Sequence, residues 1–191
     1  MKVGCVVMAA GNARRFGANK LAAELDGRSL IRRTLEAVPP AVFDAVVVVS
    51  QYPEILALAQ SYGFSALHNP HPDYGISHTI KLGLSALSDC DGVMFLVSDQ
   101  PRLTQQSVAA LADFWRRQPD HIAALGHKGV RGNPCLFPAR FFPELLELQE
   151  DRGGSTVIRR HEESLVLLEV DGAELTDVDT PEALKQVQEN G

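Results

Sequence analysis

The sequence contains no apolar run approaching the roughly 18 residues of a membrane-spanning helix, and its first residues read as a strand rather than a secretion signal. Cysteine is scarce. Cys5, Cys90 and Cys135 are odd in number, scattered, and placed in or beside apolar runs. They suit reduced core positions in a cytoplasm better than a disulfide frame. The histidines are dispersed, and His68, His71 and His78 do not form a zinc motif with the cysteines. Excess positive charge is missing too: the net charge is -6, which argues against a nucleic-acid coat while leaving room for a local cationic pocket. There is no repeat, low-complexity tract or interdomain linker, so residues 1–191 are expected to form one domain. The glycine-rich fingerprints of two familiar phosphate loops are also absent. Gly11 and Gly17 lie too far apart for GxGxxG, and five residues separate them where a Walker loop has four, with Ala18 rather than lysine next.

What is present is alternation. Strand-like runs at Val3–Ala9, Ala45–Ser50, Ser65–His68, Gly92–Val97, Ile122–Leu125 and Leu165–Val170 are separated by helical patterns. The helices are expected over Leu30–Val38 behind Ser29, over Pro53–Ser61 and Ser77–Leu87, and over Thr104–Arg117 with Thr104 as its cap. AVVVVS and GVMFLV are continuous apolar runs, as in strands buried on both faces. The expected fold is a single-domain, Rossmann-like α/β three-layer sandwich, its sheet mostly parallel with helices on both faces.

Ligands in such sheets sit beyond the carboxyl ends of the strands, near the switch in strand order. Three polar clusters fall at predicted strand ends or beside them. The first is the loop after VGCVVMA, where a small-residue turn is followed by Arg14, Arg15, Gly17 and Lys20. Free backbone N–H groups with cations close behind suit a polyphosphate. An ordinary strand-to-helix connection with solvated charges is the alternative. The second is Ser98-Asp99-Gln100-Pro101, after GVMFLV, where Asp99 is either a cation ligand or a turn residue near the Thr104 helix. The third is Asp177-Val178-Asp179-Thr180-Pro181. Thr180 and Pro181 start a helix, but the two aspartates put carboxylates on one side of an extended segment. Mg²⁺ takes one or two carboxylates together with phosphate oxygens. The clusters together specify a nucleoside-triphosphate site.

MAAGNARRFGANKL resembles the AAG-x-x-x-R-x-G-x-x-K loop of single-domain nucleotidyltransferases, the MobA-like NTP transferases. SDQP, RGNPCLF and DVDTPEAL are similar to later blocks of the branch that makes the cytosine dinucleotide form of the molybdenum cofactor, and the likeness runs from Val3 to about Leu184. The resemblance implies transfer of CMP from CTP to molybdopterin, with release of pyrophosphate. It assigns Ala9, Ala10 and Gly11 to the nucleotide, Arg15 and Lys20 to the triphosphate, and Asp99 to Mg²⁺ (or Mn²⁺) at the α-phosphate. Asp179, with Asp177, would complete the metal site, and Ser77 would approach the base. Asn133, Pro134, Arg152, Gly153 and Ser155 lie where the acceptor would enter, and Arg14 is read as a solvated charge. The implied setting is cytoplasmic, with a molybdenum hydroxylase as candidate protein partner and neither nucleic acid nor membrane.

The chemistry agrees with that assignment. The attacking phosphate is already ionised, so no general base is needed and the sequence offers no convincing nucleophile–base pair. Lys20 and the metal can neutralise the α-phosphate, while Arg15 and the loop amides support the departing pyrophosphate. Two departures bear on the acceptor: Arg152 stands where the branch often has lysine, and Asn133 where histidine is common. Ala10, rather than a second glycine, leans toward a pyrimidine base. Transfer from another NTP to molybdopterin or to a sugar or polyol phosphate is one alternative. A non-catalytic cofactor-carrying accessory protein is the other.

Overall fold

A computed structural model describes residues 1–11 and 20–189. The continuous apolar runs become the middle of a seven-stranded sheet. In chain order its strands are β1 (Val3–Ala9), β4 (Ala45–Ser50), β5 (Ser65–His68), β6 (Gly92–Val97), β7 (Ile122–His127), β8 (Val130–Pro138) and β9 (Leu165–Glu169), with spatial order β5-β4-β1-β6-β8-β7-β9. β1 pairs in parallel with both β4 and β6, and β7 with β9, while β8 runs antiparallel to both of its neighbours. The sheet is therefore mostly parallel, in one α/β domain.

Along β1 the side chains part to opposite faces, as the two-residue strand period requires. Cys5, Val7 and Ala9 join one core cluster with Ile31, Leu35, Ile55, Leu111 and Trp115. Val6 joins the other with Ile80, Leu84, Phe142, Leu145, Val157 and Ile158. The first cluster lies under α1 (Leu30–Glu36), α2 (Pro53–Ser61) and α4 (Gln105–Arg116). The second lies under α3 (Ile76–Ala86), α5 (Phe142–Leu146) and α6 (Ser155–Arg160). Helix starts follow local chemistry: the Ser29 side chain accepts from Arg32 N–H at 3.4 Å and that of Thr104 from Ser107 N–H at 3.2 Å. All three cysteines are buried and free. Among the described residues no helix is long and apolar enough to cross a membrane.

The short helices α5 and α6 were not anticipated, and neither were a hairpin and one strand of the main sheet. β2 (Glu24–Leu25) and β3 (Arg28–Ser29) form a small hairpin about Asp26-Gly27, both at positive φ (53° and 73°). That matches the Asp-Gly preference of tight hairpin turns. Leu25 and Leu30 pack there against Val178 and Val187, so the hairpin anchors the segment before α7 (Pro181–Glu189). The strand is β8, whose RGNPCLF is broken by glycine and proline.

Candidate active site

The strand order reverses at β1, between β4 and β6, and the cleft opens beyond their carboxyl ends. β1 and β6 are tied there by the Ser98 hydroxyl, which donates to the Met8 carbonyl at 2.8 Å. On the other side, the Ser50 hydroxyl donates to the Ala9 carbonyl at 2.8 Å and the Gln51 amide to that of Ala10 at 2.9 Å. These bonds fix the start of the first loop against β4. The cleft has a volume of about 360 Å³, with Ala10, Gly11, Lys20, Ile76, Thr79 and Asp99 in its walls. Gly11 is exposed, and a Cβ built on it meets no described atom within 4 Å.

Lys20 is the centre of the polar wall. Its ammonium donates to Asp99 Oδ2 at 3.1 Å and to Asp179 Oδ1 at 2.9 Å, with its own side chain only 13% exposed. Residues 79 and 159 positions along the chain are thus drawn to one cation. The Asp177–Asp179 segment is held by a main-chain bond, the Val178 N–H donating to the Asp99 carbonyl at 2.8 Å, with Val178 fully buried. Glu174 anchors the same segment from behind: its carboxylate accepts from Thr104 N–H at 3.0 Å and from the Ser107 hydroxyl at 2.9 Å. Glu174, not Asp99, therefore serves the N-terminus of α4. Burial raises the pKa of Asp177, and the charges of Asp99 and Asp179 add to this, while a Gln100 hydrogen bond and Lys20 oppose it.

These groups fit a hard divalent cation. Asp99 Oδ1 is buried with no hydrogen-bond partner among the described residues, and the Lys20 ammonium shows that Asp99 and Asp179 can share one positive charge. Among the described residues no three histidine, cysteine or acidic side chains gather in a metal-holding cluster. An ion here would draw further oxygens from phosphate and water, as Mg²⁺ commonly does.

The remaining candidates divide. Arg15, like Arg14, lies outside the described residues. Ala10, Gly11, Lys20 and Asp99 line the cleft together, whereas Ala9 is buried behind it. Ser77 is away from the cleft: it is buried, its N–H donates to the Glu150 carbonyl at 3.1 Å, and it lines a separate hollow with His78 and Lys81. The cleft-facing residues of that turn are Ile76 and Thr79, because adjacent helical positions point about 100° apart. Asn133, Gly153 and Ser155 line a second cavity of about 160 Å³ that shares Met8, Ile76 and Val97 with the cleft. Pro134, which is buried, and Arg152, which is exposed, are not among its lining residues. Asp73 and Asp151 in the cleft wall were not anticipated, since loops far apart in sequence deliver them.

The junction between those loops depends on Gly75, at φ 81° and ψ -176°. A Cβ there would stand 2.4 Å from the Glu150 carbonyl. Gly75→Ala is therefore expected to lower stability by about 2 kcal/mol or more, the backbone conformation alone costing roughly 1–3 kcal/mol. Equilibrium urea unfolding checks this, and an unchanged midpoint would show that the loops part freely.

A switch-point cleft with a lysine shared by two carboxylates defines an α/β protein built to handle nucleotides. Residues 5–165 match the MobA-like NTP transferase domain, and the chain belongs to that family of nucleotidyltransferases. It is 28% identical to the purine catabolism protein PucB of Bacillus subtilis, over 96% of this chain and 94% of that one. It is 31% identical to the 2-C-methyl-D-erythritol 4-phosphate cytidylyltransferase of Dehalococcoides mccartyi, over 56% of this chain and 50% of the relative. Among solved structures, Rv0371c of Mycobacterium tuberculosis superposes with a TM-score of 0.82 at 20% identity, covering 99% of this chain and 98% of the other. A manganese complex of Rv0371c superposes with a TM-score of 0.80 at 19% identity, covering 100% of both chains.

Proposed function

We propose that this nucleotidyltransferase moves CMP from CTP to the terminal phosphate of molybdopterin, with Mg²⁺ or Mn²⁺, in the cytoplasm. The observation that carries the reading is the meeting of Lys20, Asp99 and Asp179, from three separate sequence blocks, beside a second cavity lined by Asn133 of a fourth. A cytidylyltransferase among the relatives supports CTP as donor, and a purine-catabolism relative supports a role in that metabolism, where a molybdenum hydroxylase would receive the product.

An oxygen of the acceptor phosphate attacks the α-phosphorus, and the bond from that phosphorus to the bridging oxygen breaks. Pyrophosphate leaves with the electron pair, and no proton need move. Lys20, released from its carboxylates by the incoming polyphosphate, neutralises the non-bridging α-oxygens as charge develops. Asp99 and Asp179 hold the cation, which when bound supplies Lewis-acid polarisation of the phosphates. The Ala10–Gly11 backbone borders the nucleotide, with Arg15 on the departing phosphates.

The test is pyrophosphate release from CTP, GTP and UTP, each with and without molybdopterin. CTP with molybdopterin should give the largest rate. Release only with a sugar or polyol phosphate would move the acceptor to the alternative that Asn133 and Arg152 leave open. No release with any pair would point to a carrier.

Base choice should depend weakly on Ala10, which is 3% exposed in the cleft wall. Ala10→Gly is expected to shift the CTP:GTP ratio of kcat/KM toward GTP by at most ~10–200-fold, the worth of one methyl group in a pocket. An unchanged ratio would place selection elsewhere in the wall, where Thr79 and Ser98 carry hydroxyls.

A further inference from the structure

The second cavity contains a cation outside the Lys20 cluster. Arg131, at the start of β8, lines it together with Asn133, Cys135 and Ser155, over an apolar floor that includes Phe95 and Phe137. The guanidinium is partly buried, and its Nη1 donates to Cys135 Sγ at 3.5 Å. No carboxylate among the described residues forms an ion pair with it. Burial raises the pKa of Cys135, outweighing the opposite pull of Arg131, so the thiol stays neutral and leaves the guanidinium charge unbalanced. A half-buried cation facing a cavity with no counter-charge is costly unless a ligand supplies the anion.

The strand geometry points the same way. β8 pairs antiparallel with β6 as far as Phe95–Cys135, so the residues before Cys135 run on past the carboxyl end of β6, toward the loop that carries Asp99. The β7–β8 register also shifts between Ala124 and Gly126, after which Arg131 stands opposite Gly126. Bulges of this kind commonly re-aim side chains beside sites.

We infer that Arg131 binds the phosphate monoester of the acceptor, on the far side of the α-phosphate from Lys20. This rests on the nucleotidyl-transfer reading but not on the identity of the acceptor. The planar fork can grip two phosphate oxygens while the third stays free to attack. The same chemistry could instead be met by the phosphates of the nucleotide, and the test separates the two.

Inorganic phosphate is titrated calorimetrically into the full chain, alone and with saturating CTP and Mg²⁺, for wild type, Arg131→Met and Arg131→Lys. Wild type should bind phosphate in both conditions, with Arg131→Met weakened about 10- to 100-fold and Arg131→Lys in between. In turnover, Arg131→Met should raise the acceptor KM by a similar factor and leave the KM for CTP within about threefold, a split that a general loss of packing does not produce. Phosphate displaced by CTP would assign Arg131 to the nucleotide and overturn the inference, as would equal binding by the variants or none by wild type. If Arg131→Met does not fold, Arg131→Lys alone decides. Phosphate binding as expected with no transfer to molybdopterin would sink the proposed acceptor and leave the Arg131 subsite standing.

Discussion

Asp99→Asn is expected to remove at least ~100-fold of kcat while leaving the fold intact, comparable with losing one preorganised charge contact to a transition state. The reasons are local. Asn keeps the shape, and the main-chain bond from Val178 to the residue 99 carbonyl survives. The charge is lost at a buried oxygen, Oδ1, that has no hydrogen-bond partner among the described residues. At Oδ2, where the Lys20 ammonium lies at 3.1 Å, either a neutral oxygen replaces an anionic one or two donors face each other. Turnover should stay low at saturating Mg²⁺, with an unchanged circular-dichroism spectrum. Full activity at high Mg²⁺ would remove Asp99 from the role of principal ligand. Asp179→Asn should act in the same direction. Asp177→Asn should act less, because the Asp177 carboxyl is already biased toward its neutral form by burial and by Asp99.

Lys20→Ala should lower kcat by about 10²–10³-fold and change the KM for CTP much less, because the α-phosphate needs the cation most as the transition state forms. The variant has a second signature. Lys20 holds Asp99 and Asp179 together at 3.1 Å and 2.9 Å, and its loss leaves like charges facing one another. Mg²⁺ should then raise the melting temperature of Lys20→Ala more than that of wild type, since a bound ion restores the missing positive charge. Equal changes in kcat and KM would mean that Lys20 holds ground-state nucleotide as strongly as transition state. An equal metal response would mean that the carboxylates do not meet without it.

The legible parts of the sequence were those with an unbroken physical signal. AVVVVS and GVMFLV appear as β4 and β6 with the expected bounds, because residues buried on both faces leave no polar interruption to blur an end. Pro53 and Thr104 mark the starts of α2 and α4 for reasons of backbone geometry and capping. β8 was hidden, since Gly132 and Pro134 interrupt it, although its partner β7 directly precedes it in the chain. Within the site, Asp99 and Asp179 were legible because they stand beside a strand end and a helix start, and Lys20 because it closes the cationic loop after β1. Arg131 and Asn133 sit in one block of sequence, but that no described carboxylate pairs with Arg131 is a property of its surroundings, which only the folded chain displays. Ser77 illustrates the opposite problem, since one helical position decides between the cleft and the hollow behind it. Gln100 carries no signal of its own within SDQP, because its contacts to Leu175 and Asp177 require the closing segment to be in place.

The central claim is that this cleft transfers a nucleotidyl group. It is tested most directly by incubating the full chain with molybdopterin, Mg²⁺ and CTP labelled at the α-phosphorus. The account predicts label in a molybdopterin–cytosine dinucleotide, one pyrophosphate released per dinucleotide formed, and neither product with Lys20→Ala on the same timescale. Label remaining in CTP with every phosphorylated acceptor, or equal transfer by Lys20→Ala, would contradict it.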